Sequence, residues 1–209
     1  MPRKNEIHNQ ILHVESILKH SIYLQMTSTK YIGDIKNIPK HFNPQRCGGI
    51  LIGFHYGVNP MIGLAVDSFY KEITDFAGSR DEGETIIEAA LRETKEETFS
   101  LVYIHVSEVQ DYLCICDNDN LIIFIPIKED PYDFSEIFSK KVPLQERPEN
   151  SDAVWFCTAT FYDEIRDDNH SDIKIYSRTR DFLLKFDYEN EIVPQLKSHF
   201  DMHDYDFIK

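Results

Sequence analysis

The run from Gly78 to Ser100, GSRDEGETIIEAALRETKEETFS, admits few structures. Glu93, Glu96 and Glu97 stand at i, i+3 and i+4, and a helix of 3.6 residues per turn sets all three on one face. Carboxylates gathered so closely repel one another unless a cation lies among them. Oxygen donors of this kind suit a hard divalent ion, Mg²⁺ or Mn²⁺. The spacing predicts a metal-holding helix.

The flanking residues agree. Gly78, Asp81, Gly83 and Glu84 form a turn-prone loop, with room for positive φ at both glycines. Thr85 or Glu84 supplies the N-cap, and Glu88 places negative charge in the first turn, where the helix dipole favours it. Ile86, Ile87, Ala90 and Leu91 make an apolar stripe, and Ala89 and Ala90 are small enough for close approach to a sheet. Arg92, two turns beyond Glu84, is placed to reach back and tie loop to helix.

These residues resemble the Nudix box, G-x5-E-x7-R-E-U-x-E-E-x-G-U, where U is bulky and apolar. Gly78, Glu84, Arg92, Glu93, Glu96 and Glu97 fall on its fixed positions. The distal end departs from it: Phe99 replaces the Gly, Ser100 replaces an apolar residue, and Thr94 is smaller and more polar than the usual U. A Gly there ends the helix in a left-handed turn. With Phe99 the helix is expected to run on or finish differently, with Leu101 or Val102 taking the apolar role.

The resemblance implies an α+β fold, an α/β/α sandwich in which a mixed sheet is flanked by helices. It implies hydrolysis of a nucleoside diphosphate linked to another group, giving a nucleoside monophosphate and a phosphorylated remainder. Glu93, Glu96 and Glu97 are then the Mg²⁺ or Mn²⁺ ligands. Glu96, Glu97, Arg92 and Glu84 form the catalytic set, with Arg92 holding the cluster rather than touching substrate. The backbone around Gly78 and Gly83 offers N–H groups to phosphate. Glu96 or a downstream loop Glu is the base, and Glu146 and Glu149, ahead of a Trp155 strand, are the loop candidates.

The rest of the chain bounds this reading. Its 209 residues allow one domain with extensions, divided as 1–46, 47–168 and 169–209, the outer parts helical in places and the last ending in an acidic tail. A net charge of −14 disfavours nonspecific nucleic-acid binding. Lys140 and Lys141, or Arg178, Arg180 and Lys185, are candidates for a local basic patch, with scattered solvated charges the preferred reading. None of the four cysteines makes a C-x2-C pair, and Cys114 and Cys116 suit one buried strand face. His199 and His203 form an H-x3-H without the Glu of a zinc protease motif and read as a chance pairing. No signal peptide or membrane-length apolar run is present, so a cytoplasmic protein with no membrane partner is expected.

Periodicity predicts an amphipathic helix over Asn5–Tyr23, and Thr27–Arg46, with Pro39 and Pro44, reads as irregular or partly extended. Strands are expected over Cys47–Tyr56, Met61–Tyr70, Ile73–Phe76, Leu121–Ile127 and Ala153–Thr158, with extended segments from Leu101 to Cys116. Phe54, Tyr56 and Tyr112 read as core, a short helix begins at FYDEI, and Tyr176–Leu196 reads as helical.

Three functions remain in order. First is a pyrophosphohydrolase acting on a small-molecule nucleotide diphosphate. Second is removal of caps from capped RNA, and third a non-catalytic binding module. The sequence leaves a homodimer open.

Overall fold

The computed structural model describes residues 29–56, 59–158, 160–166 and 174–200. The helix expected over Asn5–Tyr23, His203 and the acidic tail lie outside them. A single mixed sheet holds β1 (Lys30–Asp34), β2 (Arg46–His55), β3 (Asn59–Asp67), β4 (Ile73–Thr74), β5 (Phe76–Ser79), β6 (Leu113–Asp117), β7 (Asn120–Pro126) and β8 (Asn150–Cys157). The helices are α1 (Ile86–Glu97), α2 (Pro131–Lys141), α3 (Phe161–Arg166), α4 (Ser177–Leu183) and α5 (Val193–Phe200).

Strand β2 is the axis. Along one edge it runs parallel to β7 from Arg46 to Ile52, and the remaining ladders are antiparallel. On its other edge β2 pairs first with β5 and then with β3. β2 and β3 diverge beyond the Leu51–Gly63 pair, and the chain crosses that gap: β4 pairs with Ala65 and Val66 of β3, then β5 pairs with β2.

Asp75 sits at the crossing and is buried. Its carboxylate accepts both terminal nitrogens of Arg46, at 2.6 and 2.7 Å, and the Thr179 hydroxyl at 2.6 Å. Burial opposes its ionisation, yet Arg46 and Thr179 outweigh that and hold the carboxyl below its ordinary range.

Alternation along the strands divides the core into two faces. Ile50, Ile52, Ile122 and Phe124 meet Phe161, Phe182 and Leu196 of the C-terminal helices, and Phe186 between them, on one side. Cys47, Leu51, Ile123 and Ile125 meet Ala89 and Ala90 of α1, with Phe134 and Phe138 of α2, on the other. The result is the expected α+β sandwich, with residues 174–200 packed into the first face.

The stretch expected to be irregular or partly extended contains β1, whose five residues pair with β6 along the whole of Lys30–Asp34. Several other local expectations are corrected. The extended reading of Leu101–Cys116 holds only from Leu113. Before it His105 caps a 3₁₀ turn over Val106–Glu108. β3 stops at Asp67 because that carboxylate accepts the N–H groups of Phe69 and Tyr70 and closes a turn. Ile73–Phe76 divides into two strands at Asp75. α2 was not expected; Asp130 caps it and Pro131 occupies its first turn. Helix over Tyr176–Leu196 is interrupted at Leu184, and Tyr56 is exposed rather than core.

Candidate active site

Helix α1 begins as its sequence dictates. The Thr85 hydroxyl accepts the Glu88 N–H while the Glu88 carboxylate accepts the Thr85 N–H, a reciprocal capping box. The loop before it turns through Gly83, whose φ of +88° is left-handed. Gly78 does not share that conformation; its role is spatial. A Cβ built there would lie 2.3 Å from an oxygen of Glu93. Only a residue without a side chain lets the Glu93 carboxylate lie against β5.

Arg92 spends every N–H it has within this region. Its Nε and one Nη2 hydrogen go to Glu84 at 2.8 and 3.0 Å, and the other Nη2 hydrogen goes to the Ser79 carbonyl at 2.9 Å. Nη1 donates to Glu93 at 2.8 Å and Glu96 at 3.1 Å. The expected tie between loop and helix is therefore present and extends to two of the three cluster carboxylates. The bond from Arg92 holds the Glu84 carboxyl below its ordinary range, and the Asp81 N–H adds to that.

Glu93 and Glu97 are buried, whereas the Glu96 side chain is largely exposed. Burial pushes the Glu93 carboxyl up against the opposing pull of Arg92. Burial raises Glu97 further, to about 8, despite the Asn150 amide that donates to its Oε2 at 3.0 Å. Among the described residues, no three His, Cys, Asp or Glu side chains converge closely enough to hold an ion. Arg92 draws Glu93 and Glu96 towards itself and Asn150 holds Glu97. The donor chemistry nevertheless fits a hard divalent cation: oxygen alone, with one carboxylate buried and lacking a cationic hydrogen-bond partner.

Two cavities meet at Glu97 and Glu149. One of about 320 Å³ is also bordered by Gly78, Tyr70, Tyr176 and Arg178. The other, about 290 Å³, is bordered by Glu93, Glu96, Phe99 and Arg147. Of the two loop glutamates, Glu149 borders both and Glu146 borders neither. The backbone of Glu149 is fixed by the Ser68 N–H, which donates to its carbonyl at 2.7 Å. Gly83 borders a separate groove with Tyr103 and His105.

Helix α1 neither runs on past Phe99 nor ends in a new way. Phe99 and Ser100 adopt φ of +53° and +62°, the left-handed turn a glycine would take. The Phe99 N–H reaches the Glu96 carbonyl and the Ser100 N–H the Lys95 carbonyl, the paired bonds of a Schellman end. The Phe99 ring lies 4.8 Å from that of Phe138, so packing on α2 offsets backbone strain.

The sequence reading did not find Asn150, Tyr176 or Arg178 as site residues. Asn150 opens β8, and the others reach the cavity because Ile175 bridges Ile73 of β4 in parallel. His199 pairs with Asp34 at 2.8 Å, away from these cavities.

No family model and no curated protein matches the sequence. Among solved structures, the chain is similar to the C. elegans Ap4A hydrolase in a binary complex, at 20% identity and a TM-score of 0.40, over 69% of this chain and 95% of that one. A MutT/nudix family protein from Enterococcus faecalis shares 15% identity over 75% of this chain and 57% of its own, with a TM-score of 0.36. A NUDIX hydrolase from Nitrosomonas europaea shares 16% over 80% and 97%, with a TM-score of 0.33. In this structure Glu84, Glu93 and Glu96 gather around Arg92, and Gly78 lies against Glu93.

Proposed function

We propose that the chain is a metal-dependent pyrophosphohydrolase that cleaves a nucleoside diphosphate linked to another group. The observation that carries this reading is the position of Glu97, buried at the junction of two cavities beside Glu93, Glu96 and Glu149. Glu93, Glu96 and Glu97 would hold Mg²⁺ or Mn²⁺. When bound, such an ion neutralises charge on the diphosphate and acidifies water.

The chain's own residues have separable parts in this reaction. Arg92 orients Glu93 and Glu96 and keeps Glu84 ionised, with no donor left for substrate. Asn150 fixes the rotamer of Glu97. Glu149, exposed at both cavities, or Glu96 would accept the proton of the attacking water. The wall of the larger cavity, with Tyr70 and Tyr176, receives the remainder of a small nucleotide. The charge of −14 favours a small substrate over a long capped RNA.

The test is hydrolysis with Mg²⁺ or Mn²⁺ of ADP-ribose, NADH, nucleotide sugars, dinucleoside polyphosphates, nucleoside triphosphates and cap-labelled RNA. Cleavage of a small nucleotide that stops with chelator and resumes with metal is expected. Release of a cap nucleotide from RNA with all small substrates inert would replace this reading with decapping. Inactivity of folded protein across the whole panel would favour a binding module.

A further inference from the structure

Arg46, Arg178 and Lys185 line two adjoining cavities beside the carboxylates, of about 320 and 560 Å³, which share Arg46, Ser79 and Arg178. Two of the three cations are already engaged. Arg46 is held in two bonds by Asp75, and Lys185 by Asp117. Arg178 makes no ion pair or hydrogen bond with its side chain among the described residues, although the chain carries a net charge of −14.

Its mount is well fixed. The Tyr176 N–H donates to the Ile73 carbonyl at 2.7 Å, and the Thr179 hydroxyl to buried Asp75. Arg178 lies between these two anchors, at the start of α4. Three of the four carboxylates sharing its cavity have other partners: Glu72 pairs with Lys174, Asp67 caps its own turn and Glu97 accepts Asn150, whereas the fourth, Glu149, lies at the junction with the neighbouring cavity. The backbone is anchored on both sides, and the exposed guanidinium presents a donor fork suited to phosphate.

We propose that Arg178 is a specificity-determining residue that takes a substrate phosphate beyond the two joined by the scissile bond. The chain then prefers nucleosides carrying three or more phosphates over nucleotide sugars, which carry two. This rests on the pyrophosphohydrolase reading, and its binding arm stands apart from hydrolysis.

Arg178→Gln and Arg178→Lys are compared with the wild type on a dinucleoside tetraphosphate and on ADP-ribose. Arg178→Gln is expected to lower kcat/KM about 10- to 100-fold for the tetraphosphate and less than about 2-fold for ADP-ribose. Arg178→Lys should restore part of that loss. In parallel, calorimetry measures inorganic tripolyphosphate and pyrophosphate with Mg²⁺ present. Arg178→Gln should weaken tripolyphosphate about 10-fold or more and leave pyrophosphate unchanged.

Equal losses on both members of a pair, or none on either, overturn the proposal. Selective loss of tripolyphosphate binding in a chain that hydrolyses nothing would keep the anion site and sink the hydrolase reading alone.

Discussion

Gly78 and the Glu93 carboxylate occupy space that one added carbon would contest, since a Cβ on Gly78 would lie 2.3 Å from a Glu93 oxygen. Gly78→Ala asks nothing unusual of the backbone, because φ there is not left-handed. The variant should fold and still misplace Glu93. A loss of about 100-fold or more in kcat/KM is expected, with a melting temperature near wild type. Full activity in Gly78→Ala would remove Glu93 from the catalytic arrangement.

Glu97→Gln tests the other buried carboxylate. The amide oxygen accepts the same Asn150 bond without the cost of burying charge, so stability should hold or rise. Hydrolysis should fall about 1000-fold, on the scale of removing a positioned electrostatic group. Calorimetric titration with Mn²⁺ should show weakened binding. Near-normal turnover would end the metal role given to Glu97.

Phe99→Gly separates helix-end strain from packing. Glycine relieves about 1 kcal/mol of left-handed strain. Losing the half-buried ring against Phe138 costs about 2 kcal/mol, below the range for a fully buried Phe. A net destabilisation of about 1 kcal/mol in urea unfolding is expected, with activity of the folded protein within about 3-fold. A large gain in rate would show that the ring obstructs the cavity it borders.

Arg46→Met leaves Asp75 buried without its cation, which costs about 3–5 kcal/mol. In the wild type the lowered Asp75 pKa adds stability above the unfolded carboxyl value, lost as pH falls through the folded one. The unpaired carboxyl reverses that sign. Its folded pKa rises, so the variant's deficit should shrink between pH 8 and pH 5. Thermal melts of both proteins across that range decide it, and a deficit constant with pH would refute the assignment.

Much of the site is legible in the chain because the box acts at fixed short spacings. The reach of Arg92 to Glu84 follows from their spacing, two turns apart across the start of the helix. Gly78 was legible as a glycine but not for its reason, since contact with Glu93 depends on how β5 meets α1. The Phe99 turn escaped because local propensity argues against left-handed Phe, and the compensating ring lies almost 40 residues away on α2. Residues Tyr176 and Arg178 carry no local mark of function. Only pairing of Ile175 with Ile73 brings them to the cavity.

The change of partner at Asp75 makes the chain between β4 and β5 a ruler. Thr74 belongs to one ladder and Phe76 to another, with a single residue to span them. Side chains alternate along a strand, so one residue inserted or deleted there would exchange the faces of Phe76 and Ala77 and shift Gly78 away from Glu93. Length variation should therefore be tolerated in the exposed Phe69–Tyr70 turn and rejected five residues later, at Asp75.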